Sequence, residues 1–359
     1  MPESSAVVRP EPMNSASYTA ASRLQAAGLR RATALFADAA ASVPLPQSPR
    51  PIVIADYGAA TGHNSLVPVG AAIAVLRKRT RPEHSILVTH TDVPGHDFAQ
   101  LFRTLSDDPD TYLKKDKAAF ASAVGRSFYG QIVPSNSVNL AWSAWSTQWL
   151  SRTPTPIPDH LLVAHSRDGE VRAAYERQAA RDWHEFVAFR GRELSPGGRL
   201  VVMTMAIDED GDFGYRPLLD AIAETLAELV ERQVLSDDES TAMSIPIAGR
   251  RARDFLSPFA PSGTFEKLSV QHLEVFHGDD RFWSQYRIDK KANEFGAKWA
   301  AFLRGTAFPT LAATLPADRR SDFVGRLSTG VAQRLAAAPA EVRIPLAAVV
   351  IEKQRRPHH

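Results

Sequence analysis

Two aspartates stand where apolar runs give way to small residues. Asp56 closes the run PIVIAD and opens the loop of ADYGAATGHNSL (55–66); Asp92 ends the next apolar run in THTDVPGHDF (89–98). The first loop reads D-x-G-x-x-x-G. Gly58, Ala59, Ala60 and Gly62 let a ligand approach the backbone closely. The helix expected after the loop offers its free N–H groups to a carboxylate or phosphate. The spacing is neither G-x-G-x-x-G nor G-x-x-x-x-G-K-[ST], which argues against a pyrophosphate at the helix tip and against a P-loop. An acid ending the second strand can accept two hydrogen bonds from ribose hydroxyls. The plainer reading of Asp92 is a helix cap or turn residue. Taken together, loop and acid indicate an adenosine-containing cofactor without a pyrophosphate at the turn, and S-adenosylmethionine (SAM) fits that description best.

Trp142, Trp145 and Trp149 are three of the six tryptophans. Spacings of three and four would put them on one helical face. They form either a buried aromatic stripe or the wall of a pocket for an apolar or aromatic ligand, with an indole N–H as donor. Gln148 lies beside them. His63, His84, His90 and His96 cluster around the loops without HxxxH or HExxH spacing, so no metal is expected, and His90 and His96 are expected to cap turns. The run RRARD (250–254) is expected to be a solvated face.

These residues need a scaffold, and the chain supplies alternating signals. IVIAD, HSILVTHTD, VNLAWSA and GRLVVMTMA read as strands, the last announced by an SPGG turn. LVPVGAAIAVLRKR, HDFAQLFRTLSD and residues 170–194 read as helices. Units of this kind imply a parallel sheet covered by helices, and continuous apolar strands imply burial on both faces. Residues 1–12 are expected to be a loose tail, and 13–359 one domain. Its sheet core covers about 51–205, with late strands within 262–282 and 340–353. Helices at 206–261 and 285–338 would roof the site, Leu219, Ile222, Leu226 and Leu229 making one apolar face and Phe295, Trp299 and Phe302 another. A helix over 17–41 would close it.

The 359 residues carry 42 Lys+Arg against 40 Asp+Glu, a formal net charge of +2. That balance excludes a strong electrostatic footprint for nucleic acid or anionic membrane. The sequence has no cysteine, which removes disulfides, thiolate catalysis and Cys-based zinc sites. No secretory h-region and no run long enough for a membrane span are present, so a cytoplasmic protein is expected. The Ala- and Arg-rich composition suggests a high-GC bacterium.

Five segments in order carry a family resemblance: SYTAASRLQ (17–25), DYGAATGHNS (56–65), HTDVPGHDF (90–98), RSFYGQIVP (126–134) and SAWSTQWLS (143–151). They are similar to the S-Y-A-x-x-S-x-x-Q, D-L-G-C-S-x-G-x-N-T, N-D-L-P-x-N-D-F, G-S-F-Y-x-R-L-F-P and S-S-Y-S-L-x-W-L-S signatures of the SABATH carboxyl methyltransferases. The resemblance implies a class I SAM-dependent methyltransferase, a Rossmann-like α/β core with an α-helical cap, acting as a homodimer on small carboxylic acids. It implies that Tyr18 and Ser22 contact the methionine part of SAM, that Asp56, Gly58, Ala59 and Asn64 line the cofactor, that Asp92 holds the ribose beside Val93, and that Ser127 and Phe128 flank the adenine. Gln25 and Trp149 would grip the substrate carboxylate, with Trp145 and Gln148 shaping the acyl pocket. Ala59 replaces the family's usual Cys, Trp145 a Tyr, and Gln148 a His or Met, which makes the plant substrates doubtful. The segment RTPTPIPDHLLVAHSRDGE (152–170) lacks the Asn of the magnesium site that some plant members carry, so no metal requirement is expected. Bacterial members of the family point to a medium-chain fatty acid, with a benzoate- or salicylate-type acid as the alternative. A nicotinamide-dependent oxidoreductase is disfavoured by the missing G-x-G-x-x-G and by the 17–25 motif. A non-catalytic SAM-binding protein is disfavoured because Gln25 and Trp149 are both intact.

Overall fold

Apolar runs such as IVIADY and ILVTHTD have no polar face to turn to water, so they are stable only as interior strands covered on both sides. The computed structural model describes the backbone of residues 15–355 and the side chains from Leu29 onward. The tail expected at 1–12 lies outside the described residues, as do the side chains of Tyr18, Ser22 and Gln25. The elements are α1 (Ser15–Ser42), β1 (Ile52–Tyr57), α2 (His63–Arg77), β2 (Ile86–Asp92), α3 (Phe98–Asp107), α4 (Tyr112–Lys115), β3 (Ala119–Gly125), β4 (Val138–Ala144), α5 (Gly169–Glu193), β5 (Leu194–Met205) and α6 (Arg216–Glu231). They continue with α7 (Asp237–Thr241), α8 (Ala252–Leu256), β6 (Leu268–His277), α9 (Arg281–Asp289), α10 (Ala292–Thr306), α11 (Phe308–Ala312), α12 (Ala317–Ala337) and β7 (Pro345–Lys353).

The strands form one seven-stranded sheet, in the order β3-β2-β1-β4-β5-β7-β6. From β3 to β5 all pairings are parallel. β7 runs antiparallel to both β5 and β6, a departure from the all-parallel sheet expected. The reason lies in the route of the chain. His277, the last residue of β6, pairs with Pro345, the first of β7. The chain re-enters the sheet at the end where it left, after traversing α9 to α12, so the direction must reverse.

One face of the sheet is covered by α5, whose Trp183, Phe186 and Val187 are buried against Tyr57, Val202 and Val349. On the other face Phe36 of α1 and Leu66, Val69 and Ile73 of α2 join a core that continues into the later helices. There Leu219, Ile222, Leu226 and Leu229 of α6 are buried, as are Phe295, Trp299 and Phe302 of α10.

Three local expectations are corrected. The tryptophans do not share a helical face: Trp142 lies in β4, Trp145 follows it with φ +56°, and Trp149 makes an isolated bridge to Ile247. The spacing had a helical period, but the strand pairing of 138–144 with β1 and β5 overrides it. SPGG (195–198) is no turn before the strand; it lies within β5, where the register against β4 shifts between Val138 and Leu140. Glycine is needed there, because a Cβ on Gly198 would stand 3.0 Å from the carbonyl oxygen of Val138. β3 was not foreseen at all. Its AFASAVG is a half-exposed edge strand without a strong apolar run.

Candidate active site

The carboxyl ends of β1, β2 and β4 meet at one point. The N–H groups of Gly58 and Ala59 both donate to the carbonyl of Thr91 at 2.9 Å, clamping the loop after β1 to the end of β2. Gly58 has φ +81°, and a Cβ there would lie 2.1 Å from the Ser146 Oγ of the turn after β4. Only glycine satisfies both the backbone conformation and the close approach. Ala60 also takes a left-handed conformation, φ +46°.

Asp92 stands at the junction. Its Oδ2 accepts from the Ala60 N–H at 2.8 Å and its Oδ1 from its neighbour Val93's N–H at 2.7 Å. A carboxylate has about four acceptor positions, so both oxygens can still accept further bonds. Burial holds this carboxyl above the usual carboxylate range, opposed by His96 and by the two N–H groups. Asp56 is 1% exposed. Its Oδ2 accepts from Nδ1 of His90 at 2.7 Å, and Nε2 of His90 lies 3.0 Å from the Tyr112 hydroxyl. His90 is therefore the buried centre of a polar chain and not the turn cap expected. A strand position in the parallel core leaves it no turn to cap. His96 is no cap either: it packs edge-on against Phe98, with Nε2 sealed away from any partner among the described residues.

The segment 144–151 is latched on every side. Gln148 Nε2 donates to the Trp145 carbonyl at 2.7 Å, and Gln148 Oε1 accepts from Thr204 at 3.0 Å. The Tyr129 hydroxyl donates to the Trp149 carbonyl at 2.5 Å, and the N–H and hydroxyl of Ser151 donate to Asp182. Arg250 donates to the carbonyls of Thr147 at 2.6 Å and Ala179 at 2.8 Å. It is 1% exposed, so the first residue of RRARD departs from the solvated face expected, while Ala252 and Arg253 are exposed. Charge runs face water by default, but here two orphan-prone carbonyls, of Thr147 and Ala179, and the Trp183 ring enclose one guanidinium.

A second latch was not legible from motifs. Arg190 and Glu193, both fully buried, pair at 2.8 Å. The guanidinium also donates to the carbonyls of Phe128 and Gly130, and Glu193 accepts from the Tyr57 hydroxyl and from the N–H groups of Ile132 and Val133. The pair thus fixes the loop that carries Ser127 and Phe128. One signal was available: Trp183, Phe186, Val187 and Arg190 share a helical face, and an Arg on an apolar stripe needs buried acceptors.

These elements enclose a cavity of about 600 Å³, within the usual range for a small-molecule site. Asp56, Gly58, Ala59, Asn64, Asp92, Val93, Ser127, Phe128, Trp145, Gln148 and Trp149 all line it. So every candidate whose side chain is described comes to this one space. Trp142 joins them. The rest of the lining is apolar and mixed, aliphatic at Leu162, Met205, Leu218, Leu219, Ile222, Ile245, Ile247 and Leu303, with the rings of Phe213, Tyr215 and Phe302 among them. Among the described residues the charged side chains lining the cavity are Asp56 and Asp92; no Lys, Arg or His does so. Two carboxylates without a cation suit a ligand bearing positive charge, as the sulfonium and ammonium of SAM do. Among the described residues no group of three or more His, Asp or Glu is arranged to hold a metal ion, and no helix is long and apolar enough to cross a membrane.

A family model described as SAM dependent carboxyl methyltransferase matches residues 9–354. The chain belongs to this family, the SABATH methyltransferases. Salicylate carboxymethyltransferase of Clarkia breweri is 27% identical to it over 276 residues, 72% of this chain and 74% of that one. S-adenosyl-L-methionine:benzoic acid/salicylic acid carboxyl methyltransferase 1 of Petunia hybrida is 27% identical over 212 residues, 55% and 59% of the two chains. Loganic acid methyltransferase, solved with S-adenosylhomocysteine (SAH), superposes with a TM-score of 0.76 at 19% identity, covering 97% of this chain and all of that one. The SABATH chain described here therefore has the class I SAM-dependent methyltransferase fold, and its cofactor is SAM.

Proposed function

We propose that the acceptor is a small apolar carboxylic acid, a free medium-chain fatty acid ahead of a benzoate-type ring, and that the product is its methyl ester. The observation that carries this reading is the cavity lining: rich in aliphatic side chains, and without Lys, Arg or His among the described residues. Alcohol, amine or thiol acceptors would have to lose a proton to a base. Asp56 is engaged by His90 and Asp92 by two backbone N–H groups. A carboxylic acid needs no base, since it ionises near pH ~4.

SAM, when bound, supplies a methyl group made electrophilic by its sulfonium. The rest is positioning by the protein. Asp92 would hold the ribose hydroxyls with its remaining lone pairs. Val93, Ser127 and Phe128 would wall the adenine, and Tyr18, Ser22, Asp56, Gly58, Ala59 and Asn64 would hold the methionine end. Gln25 and the Trp149 indole would orient the acceptor carboxylate as neutral donors. A guanidinium in their place would stabilise the ground-state anion and blunt its nucleophilicity. Trp145 would bound the acyl pocket. Gln148, whose amide is engaged by Trp145 and Thr204, would shape that pocket by holding the Trp145 backbone. Closing the site would exclude water and strengthen the attraction between acid anion and cofactor.

The names of the relatives favour the aromatic alternative, and the many aliphatic side chains of the lining favour the chain. Transfer of labelled methyl from SAM to a panel of acids from benzoate to dodecanoate decides between them. Esterification peaking at six to twelve carbons is expected on the order of pocket size. Benzoate or salicylate turned over fastest would replace the aliphatic reading, and no ester from any acid would remove the carboxylate acceptor.

A further inference from the structure

Of the buried and half-buried tyrosines, Tyr57, Tyr112, Tyr129 and Tyr175 each commit the hydroxyl to the protein: to Glu193, His90, the Trp149 carbonyl and the Thr155 carbonyl. Tyr215 is the exception. It is 8% exposed and lines the cavity, yet no hydrogen bond joins its hydroxyl to any described residue. Nor is that oxygen among the polar atoms sealed off without a partner. The open space that Tyr215 borders is the cavity. A buried hydroxyl left without any partner is costly, so one that opens on the cavity is matched by what fills the cavity, water or ligand.

The backbone reinforces this. Tyr215 has φ +60° as the N-cap of α6, a left-handed conformation that is costly for a non-glycine residue and concentrates at ligand sites. It is held there from outside the cavity. The Tyr215 N–H donates to the Arg343 carbonyl at 3.0 Å, and a Cβ on Gly214 would stand 2.2 Å from that same oxygen. The Arg343 guanidinium in turn pairs with Asp208 at 3.1 Å, and Asp208 also receives His277. Strain and latch fix this ring, beside that of Phe213 at 5.7 Å between centroids, among the aliphatic side chains of the lining.

We propose that Tyr215 is a specificity-determining residue whose hydroxyl hydrogen-bonds an oxygen on the acceptor's apolar body. The preferred substrate is then a hydroxy- or oxo-substituted aliphatic acid, and not the unsubstituted acid of the same length. This rests on the carboxylate-acceptor reading and narrows it. No bond is made or broken at Tyr215.

The test compares kcat/KM for plain decanoate with its positional hydroxy- and oxo-derivatives, in the parent and in Tyr215→Phe. SAH binding and thermal unfolding are measured alongside. The parent is expected to prefer at least one oxygenated isomer roughly tenfold or more, since a site built to pair a hydroxyl penalises the partner that lacks it. Tyr215→Phe should erase that preference by bringing kcat/KM for the oxygenated isomer down to that for plain decanoate, with SAH affinity within about twofold of the parent. A parent indifferent to oxygenation overturns the proposal alone, as does a variant that loses both substrates equally. A parent that binds SAH but esterifies none of these acids overturns the carboxylate reading, and the proposal with it.

Discussion

Nδ1 of His90 donates to Oδ2 of Asp56 across 2.7 Å, with both side chains essentially inaccessible to water. A carboxylate can only accept, so Nδ1 must carry the proton, and the Tyr112 hydroxyl at Nε2 completes the chain. The bond joins β1 to β2 immediately beneath the cavity. It holds still a carboxylate that also lines the cofactor space. His90→Ala leaves that carboxylate buried and unpartnered. Unfolding free energy is expected to fall by about 1–3 kcal/mol, with the KM for SAM rising and kcat changing little. Denaturant melts and SAM titrations read both. A variant with unaltered KM for SAM would separate His90 from cofactor binding.

Asp92 gives a pH dependence with a definite sign. Burial raises its carboxyl above the usual range, so protonation sets in at a higher pH than for an exposed aspartate. The protonated form loses acceptor capacity toward the ribose. SAH affinity should therefore be full at pH 7.5 and fall as the pH drops through that raised value, before exposed carboxylates titrate. The cofactor-free protein has the opposite slope: a carboxyl with a raised folded pKa destabilises the fold at neutral pH, and this penalty fades as the pH falls. Calorimetric SAH titrations from pH 5 to 8 check the first statement. Asp92→Asn should bind at least roughly tenfold more weakly at pH 7.5 and lose the slope.

Gln25 and Trp149 are expected to act on the acceptor and not on the cofactor. Trp149→Phe keeps an aromatic wall and removes the donor. Gln25→Ala removes the amide. Each should lower kcat/KM for the acid by roughly 10- to 100-fold, the range for lost orientation, with SAH affinity within about twofold of the parent. Turnover at the parent rate in both variants would end the assignment of the carboxylate grip.

Gly58 and Ser146 should couple. Gly58→Ala places a methyl group 2.1 Å from Ser146 Oγ and 2.5 Å from its Cβ, at φ +81°. A loss of about 2 kcal/mol or more is expected from overlap and backbone strain. Ser146→Gly in that background should recover the overlap part but not the strain, so the double variant loses less stability than the sum of the two single losses. Simple additivity would mean that the loop and the turn after β4 do not bear on each other.

What the sequence determined by itself was the set of residues and the class of scaffold. Apolar runs too long for one-sided burial required a sheet covered on both faces, and the small residues around Asp56 and the acid at Asp92 marked the ends of its first two strands. The ordered motifs brought out the same candidates that the fold gathers around one cavity. Tertiary structure decided what no local pattern encodes. Trp142 to Trp149 carry a helical spacing, yet hydrogen bonding to neighbouring strands is worth more than periodicity, and the segment is a strand followed by a latched turn. Arg190, Glu193 and Arg250 look like surface charge because the carbonyls that the arginines donate to and the N–H groups that Glu193 accepts from are 60 to 103 residues away in the chain. The unpaired hydroxyl of Tyr215 is visible only once every other group around it has been located. Burial and pairing belong to the whole fold, because each depends on what the rest of the chain brings within about 3 Å.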